Sequence, residues 1–526
     1  MVLLKRRVPF KVDRLKQNAF NQEMPSWSCA FWILAAIAVT CAPVVASDYG
    51  FSDDFWILSI RPLNSEIINN TLHHFNAEGR SIFSVWVLGV MGQASGIQDL
   101  RFVRLLTLFG LFFSSVVFYK LLRRHLAEDR IDALLTACIF SINPSFLIMA
   151  GWASIGCDSY ACLLGLLSSH ALLLDARFDA PSSKSEGESR GASIIGSGWG
   201  CLFGSALLLF AALFLYQPGA MLYWTGAAIW IIGRFTAKRE DWMKLARITA
   251  VFIVVLGVYF LFASTLAGPN SRFHVSISLI RRMGWFMLYP LQNALSYPSI
   301  QPLTFWSIAT LLILSFGVWS FCRQTSRTLW IPSLVLMITP LTVLPTIFAY
   351  GHYDTSRTRE ALYGLIIILW YVVFGTIVRY LKDAFKLRHI LIPILIVLIM
   401  SGQYHLQRYL ITPELREESA LLVKLQEYVR ENPKLDRLIV IWPPPTNPPT
   451  AEFHGVDEMG ITSLNRPLGS YYVIRLILAG VTNRNYEDLL KAEIPPIDSY
   501  DLRAQANQTP PPDAFIIDFR QSRAPR

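Results

Sequence analysis

The sequence predicts an all-α polytopic membrane protein of about eleven transmembrane helices, with a small extracytoplasmic α/β domain at its C-terminal end. Three observations predict this class. Of the 526 residues, 53% are hydrophobic and 16% charged, and the mean hydropathy is +0.40, which excludes an enzyme that is water-soluble throughout. Apolar runs of roughly 18 or more residues recur from Trp27 to about Met400, the length a helix needs to cross a bilayer. At Gln403 the composition turns polar and stays so to the end of the chain.

Residues 1–26 contain the basic stretch MVLLKRRVPFKVDRLKQ, which reads as a cytoplasmic tail leading into an uncleaved first span. Spans follow at 27–46, 102–119, 131–150, 153–174, 194–216, 219–234, 247–267, 303–322, 329–349, 361–381 and 388–402. An odd count puts the termini on opposite sides. With the N-terminus inside, the inner segments hold 24 Lys and Arg and the outer segments the remaining nine, as the positive-inside rule requires. A bacterial cytoplasmic membrane with the C-terminal domain outside it is the expected location.

The net charge of +10 would suit a nucleic-acid partner only if the basic residues shared one soluble face. Residues 403–526 hold 14 basic and 16 acidic residues, a net of −2, so the excess of +12 belongs to the membrane part and records orientation. No nucleic-acid partner is expected. The seven cysteines (Cys29, Cys41, Cys138, Cys157, Cys162, Cys201, Cys322) lie in or beside apolar segments and suggest neither a disulfide framework nor a zinc site.

Three outer stretches are polar: the first loop (about 47–101), the loop 268–302 and the short loop 350–360. The inner stretch 176–192 reads as a linker. In the C-terminal domain (403–526), Pro413 starts an amphipathic helix that carries Leu415, Leu422, Leu425 and Val429. RLIVIW (437–442) and AFIIDF (514–519) read as buried strands, with a helix around 472–480. Asp457-Glu458 in that domain read either as a second acidic site or as part of a structural cap.

Asp53-Asp54, with Asp48 just before them, form the sharpest chemical feature. They are either solvated loop charges or a site for a cation or a proton. Tyr49, Phe51, Phe55 and Trp56 around them favour desolvation, which raises a carboxylate's proton affinity and suits it to general-base work. Arg80 at the far end of the loop, the pair Arg281 and Arg282, and Arg357 with Arg359 are outer cations where the sidedness rule predicts few. Arginine's planar fork suits a phosphate. Arg101 and Arg104 read equally as interfacial anchors or as phosphate ligands. Asp158 lies inside the fourth span near its outer end, either a functional carboxylate or one bonded to its neighbours. Gln217-Pro218 mark either a broken turn facing the site or a simple span junction. His73-His74 lack metal-ligand spacing and read as surface residues. Trp152 and Trp224 are large enough to stack on a sugar ring.

The outer loop with SDDF, a later GR, RFVRLLTLFGLFFSSVVFYKLLRR, INPSFLIMAGWAS (Ile142 to Ser154) and LYQPGAMLYW (Leu215 to Trp224) together resemble integral-membrane glycosyltransferases of the GT-C superfamily. Within it, the resemblance is to the glucosyl transferase II-like family of bacterial O-antigen glucosyltransferases. It covers roughly 45–225 in motif and the whole chain in layout.

The resemblance implies transfer of a hexose, glucose in that family, from a polyprenyl-phosphate donor. The acceptor would be a glycan or lipid-linked oligosaccharide on the outer face of the bilayer. It implies Asp54 or Asp53 as the base, with Asp54 the favoured member, and a divalent cation (Mg or Mn) on that pair as one role for the neighbour. Arg80 and Arg357 would contact the phosphate, with Arg281 and Arg282 behind them and Asp158 and Gln217 at the substrate. No nucleotide cofactor is expected. There is no Walker sequence, and GSGWG at 196–200 lies at the start of an apolar span, where small residues serve packing. A flippase or transporter of a lipid-linked sugar, and an O-antigen polymerase or ligase, are the competing functions.

Overall fold

The computed structural model describes residues 26–431 except 52, 60–63, 128, 175–193, 267–278, 297–303, 326–327, 329, 349–354 and 382–385, and beyond them residue 477 and two strands. The basic tail, the linker 176–192, the predicted helix around 472–480 apart from residue 477, and Asp457-Glu458 fall outside the described residues. So do 268–278 and 297–302 of the loop 268–302, and the first part of 350–360.

The described chain is almost wholly helical. In order come α1 (Ser26–Ala46), α2 (Asp53–Ser59), α3 (Ser65–Ala77), α4 (Leu100–His125), α5 (Arg130–Ser141) and α6 (Pro144–Gly151). Then come α7 (Asp158–Leu173), α8 (Ile194–Leu215), α9 (Leu222–Arg234), α10 (Arg239–Leu266), α11 (Leu279–Leu288) and α12 (Pro290–Ser296). The last are α13 (Thr304–Gln324), α14 (Trp330–Leu341), α15 (Leu344–Phe348), α16 (Glu360–Tyr380), α17 (Arg388–His405) and α18 (Thr412–Glu431). β1 (Leu438–Ile441) and β2 (Phe515–Asp518), inside the two segments read as strands, pair in parallel.

Among the described residues, six helices are long and apolar enough to cross a membrane, and the pair α5 and α6, bent by 51° at its break, makes a seventh. Each predicted run contains a helix, yet several are short: α7 has 16 residues, α9 has 13 and α14 has 12. The reason is visible at one end of the bundle. Breaks at Trp152–Cys157, at Tyr216 and Met221 on either side of a single helical turn, and at Thr342–Val343 take up apolar sequence that a continuous helix would otherwise use. Such backbone is tolerated at membrane depth only where protein surrounds it, and all of the first stretch is buried.

The ends are called outer and inner after the sidedness that the basic residues predict. At the centre α4 packs against α1, α5, α7 and α9, with Phe118 stacked on Phe140 of α5 at 4.0 Å. The break between α5 and α6 is made by Asn143-Pro144. Asn143 Oδ1 accepts from Phe146 N at 3.2 Å and caps α6, its Nδ2 donates to Phe140 O at 2.7 Å, and Pro144 fits the first turn, where no backbone donor is needed.

Three expectations change. α17 does not stop at Gln403: it runs through a π-turn at Leu406–Ile411 directly into α18, so helical chain is continuous from Arg388 to Glu431. The wider turn falls just before Pro413, which has no N–H for an ordinary helical bond. In α18 the buried stripe is Leu421, Leu425 and Tyr428, while Leu422 is exposed, because the helix turns a different face to the bundle than the apolar spacing suggested. Asp158 is the first residue of α7 and not a residue within a span, since the chain before it forms a 3₁₀ turn at Ala153–Ile155.

Candidate functional site

The first outer loop is held by a buried ion pair. Asp54, on the first turn of α2, and Arg104, on the second turn of α4, both have zero exposure, and Arg104 Nη2 lies 3.9 Å from Asp54 Oδ2. Backbone donors complete the carboxylate: Ser154 N donates to Oδ1 at 2.7 Å and Phe51 N to Oδ2 at 3.1 Å. Arg104 also donates to the carbonyls of Tyr49 and Ser47, and its guanidinium lies 3.7 Å from the centre of the Tyr49 ring. The Tyr49 hydroxyl in turn donates to Gly151 O at 2.7 Å. Arg104 is therefore neither an interfacial anchor nor a phosphate ligand. It is the counter-ion of Asp54, whereas Arg101 is exposed.

Burial pushes the Asp54 carboxyl up to about 6, against the opposing pull of Arg104 and of the donors at Ser154 and Phe51. Asp53, one residue earlier on the same helix, is exposed. The acidic pair is thus divided into one sealed carboxylate and one open to solvent. α18 closes over this loop: Glu418 Oε1 accepts from Gly50 N at 3.2 Å, and Glu414 beside it is buried.

A second group of charges stands close by. The segment after α6 carries Ser154 toward Asp54 and Trp152 toward Phe51, the two rings meeting edge to face at 4.8 Å. The Arg357 guanidinium lies 4.6 Å from the centre of the same indole. Trp152 therefore touches both the carboxylate loop and Arg357, while Trp224 packs in the core against Phe252 at 5.0 Å.

Arg80 reaches the same region by a defined backbone turn. α3 ends in a motif in which Arg80 N donates to Phe75 O at 2.8 Å and Gly79 N to Asn76 O at 3.0 Å. This turn needs a left-handed residue, supplied by Gly79 at φ 70. Arg80 Nε then donates to Gln217 Oε1 at 3.3 Å, and the guanidinium lies 5.1 Å from the Tyr216 ring centre. Gln217 Nε2 donates to the Tyr259 hydroxyl at 2.6 Å, and that hydroxyl donates to Gly79 O at 3.1 Å. Gln217-Pro218 open a broken turn that locks Arg80 in place.

Tyr216 is the hub. Its hydroxyl donates to Arg357 O at 3.2 Å, and Glu360, Asp158, Arg357 and Arg80 all lie close enough to act on it electrostatically. Asp158 and Glu360 are buried carboxylates, with 1% and 0% exposure. Of the sequence candidates, Asp53, Asp54, Arg80, Arg357, Asp158 and Gln217 converge at the outer end. Arg281 and Arg282 do not join them directly. They lie on α11, which packs on α15, the neighbour of the Gln217 turn; Arg281 is exposed and Arg282 buried.

The sequence reading missed Glu360, a buried acid, and took Arg359 for an outer-loop cation, whereas it is buried and its Nη1 donates to the Tyr363 hydroxyl at 3.4 Å. The run TSRTRE holds both, and their signal was a charge pair at the head of a strongly apolar span. His73 and His74 are exposed, as expected.

Among the described residues, no group of three or more His, Cys, Asp or Glu side chains is arranged to hold a metal ion. The acidic pair itself does not fit a two-carboxylate metal site, because both oxygens of Asp54 already accept N–H bonds and face Arg104. Compared with protein-family models, with curated proteins and with solved structures, the chain matches none.

Proposed function

We propose that this membrane protein is a glycosyltransferase that moves a hexose from a polyprenyl-phosphate donor to a glycan or lipid-linked acceptor at the outer face. The observation that carries this reading is the arrangement around Trp152. A locked acidic loop that carries the exposed Asp53 packs on Trp152 through Phe51, and Arg357 lies against the same indole, with Arg80 next to it across Tyr216. An anionic leaving group needs cations, and an alcohol nucleophile needs a base.

In this reading Asp53 takes the proton from the acceptor hydroxyl, and the oxygen attacks the anomeric carbon. The bond from that carbon to the phosphate oxygen breaks, and polyprenyl phosphate departs with the electron pair, held by Arg80 and Arg357. Asp54 acts as a positioning residue: it fixes the first turn of α2 through Arg104 and the two backbone donors. This assigns the base to the open member of the pair, because a carboxylate whose oxygens are both occupied cannot reach an incoming hydroxyl without unlocking the loop. Asp158 and Glu360 are placed to accept from sugar hydroxyls.

An apolar cavity of about 290 Å³ between α5, α12, α16 and α17 supports a lipid-linked donor. It runs along α16 from Tyr363, the residue that Arg359 touches, past Ile366 and Trp370 to Phe374. A hydrocarbon chain lying there has its head near the arginines.

The test is an assay of the purified full chain with a synthetic polyprenyl-phosphate hexose and an acceptor glycan. The wild type is expected to release polyprenyl phosphate and extend the acceptor. Asp53→Asn is expected to lose roughly a hundredfold or more of that rate, the usual contribution of a general base, with an unchanged melting midpoint. Full activity in Asp53→Asn removes the base assignment. Donor carried across a bilayer without cleavage would make the protein a transporter.

A further inference from the structure

We infer that Trp56 is the platform of an acceptor-sugar subsite, on which a pyranose ring lies beside Asp53 with its hydroxyls among polar side chains of α3. The inference rests on the transferase reading and extends it to the acceptor. Along α2, Asp54, Phe55, Ile57 and Leu58 are buried, Asp53 is exposed and Trp56 is half-buried. Residues three apart share a helix face, so the side of α2 turned to solvent carries a carboxylate and an indole together. Such a pair suits a sugar. The C–H bonds of a pyranose form an apolar patch for an aromatic ring, and its hydroxyls need polar groups around the rim. Trp152 and Trp224, also large enough to stack on a sugar, are buried, so a ring has no access to their faces.

The platform is fixed from two sides. Asp54, held by Arg104 and the Ser154 and Phe51 amides, locks the first turn of α2. Trp56 itself packs at the edge of a small core that includes Ile57, Leu58, Phe75, Phe83, Trp86 and Val87. Its ring centre lies 6.3 Å from that of Phe75 at an interplanar angle of 61°, and Phe75 rests on Phe83 at 4.7 Å. An indole held in this way loses little freedom when a ligand covers it. His74 meets the same indole edge to face at 6.1 Å and is exposed. Asn70, one turn earlier on that face of α3, is exposed as well. An imidazole and an amide supply both donors and acceptors, and a sugar hydroxyl uses both.

The same loop ties this platform to the donor side. His74 Nε2 lies 4.0 Å from Glu78 Oε1, and Glu78 Oε2 lies 4.0 Å from Arg80 Nη1. The end of α3 thus links the rim of the platform to the arginine that would hold the leaving phosphate, and base, platform and phosphate ligand all belong to the segment 53–80. A tryptophan of the interfacial belt anchors a protein among lipid headgroups. Trp56 shares its solvent-facing surface with Asp53 and His74, polar partners that match a glycan better than an acyl chain.

The test is saturation-transfer NMR on the full chain in nanodiscs, with cellotetraose as the sugar probe and sorbitol, which has no ring, as the control. The wild type is expected to pass saturation to the axial ring hydrogens of cellotetraose and not to sorbitol. Trp56→Leu keeps an apolar contact with Phe75 and removes the indole, so binding should weaken about tenfold, and Trp56→Phe should restore most of it. His74→Ala, at an exposed site, should weaken binding about threefold and decides the matter if Trp56→Leu fails to fold. Trp199→Leu, at an exposed tryptophan near the inner end, should bind as the wild type does. Absence of transfer to cellotetraose, equal transfer to sorbitol, wild-type binding in a folded Trp56→Leu, or an equal loss in Trp199→Leu would overturn the subsite; so would wild-type binding in His74→Ala where that variant decides. Donor cleavage is read separately in the transfer assay. A chain that binds cellotetraose through Trp56 and leaves the donor intact keeps a sugar site and loses the transferase reading. One that cleaves the donor and ignores the probe keeps the reading and loses the subsite.

Discussion

The two ends of the bundle treat charge in opposite ways. At the outer end Asp54, Arg104, Asp158, Arg359 and Glu360 are all at most 1% exposed, and the pair Asp54 and Arg104 sits among fixed backbone dipoles and the Tyr49 ring. Among the described residues at the inner end Arg234, Lys238, Arg239 and Glu240 are exposed, Arg123, Arg124 and Asp132 are half-buried, and Lys244 and His125 are buried. A solvated charge records which side it faces and contributes little to structure. A buried charge must be matched in place, so it fixes the position of every group that matches it. The outer end holds buried charges in a fixed arrangement, while the inner end leaves most of its described charges in or near solvent.

The largest effect that would sharpen this contrast is removal of one half of the outer pair. Arg104→Ala leaves Asp54 buried without its cation and strips the Tyr49 and Ser47 carbonyls of a donor. A loss of about 3–5 kcal/mol is expected, read as a lowered melting midpoint in detergent at neutral pH. Acidification should recover part of it, because a protonated Asp54 no longer needs a counter-ion. Arg234→Ala at the inner end should stay within about 0.5 kcal/mol of the wild type. Similar losses in the two variants would break the comparison.

The same contrast explains what the sequence could reveal. Arg80, Arg357, Asp158 and Gln217 were legible because each is polar where the surrounding pattern is apolar, and a membrane makes such exceptions conspicuous. Their convergence was not legible, because Gln217 meets Arg80 across 137 positions of chain. The partnership of Asp54 was hidden for a different reason. Two of its three partners are backbone N–H groups, at Ser154 and Phe51, and every residue but proline carries one of those. Hydropathy located a helix within each predicted span but lengthened several, since it registers apolar composition and cannot tell a helix end from the irregular turn at Trp152–Cys157. It also placed a domain boundary at Gln403, where the polarity changes and the helix does not stop.

A smaller effect concerns the proton on Asp54. Its carboxyl stands at about 6 in the folded protein against an ordinary 3.8, so the folded chain holds this proton more tightly than the unfolded one. The stability that this supplies is fully present below the unfolded value and is lost as pH rises through the folded one, about 3 kcal/mol in all at 1.36 kcal/mol per unit. Asp54→Asn cannot titrate. The melting midpoint of the wild type is therefore expected to fall relative to that of Asp54→Asn between pH 4 and about 6. A constant difference between the two curves would mean that the carboxylate is better solvated than its zero exposure indicates.

The smallest effect lies at the inner end and asks whether an exposed acid there works through its charge or through its oxygen. Asp129 precedes α5, in extended conformation, and its Oδ1 accepts from Ile131 N at 2.7 Å and Asp132 N at 3.4 Å. Asp129→Ala removes that cap and should cost about 1 kcal/mol. Asp129→Asn keeps an oxygen in the same place and removes the charge, so it should cost almost nothing, at low and at high salt alike. A drop in Asp129→Asn equal to that in Asp129→Ala would show that the charge itself stabilises the inner end, by acting on the N-terminal dipole of α5. Inner charge would then be structural in the way that outer charge is, and the difference between the ends would come down to solvent exposure alone.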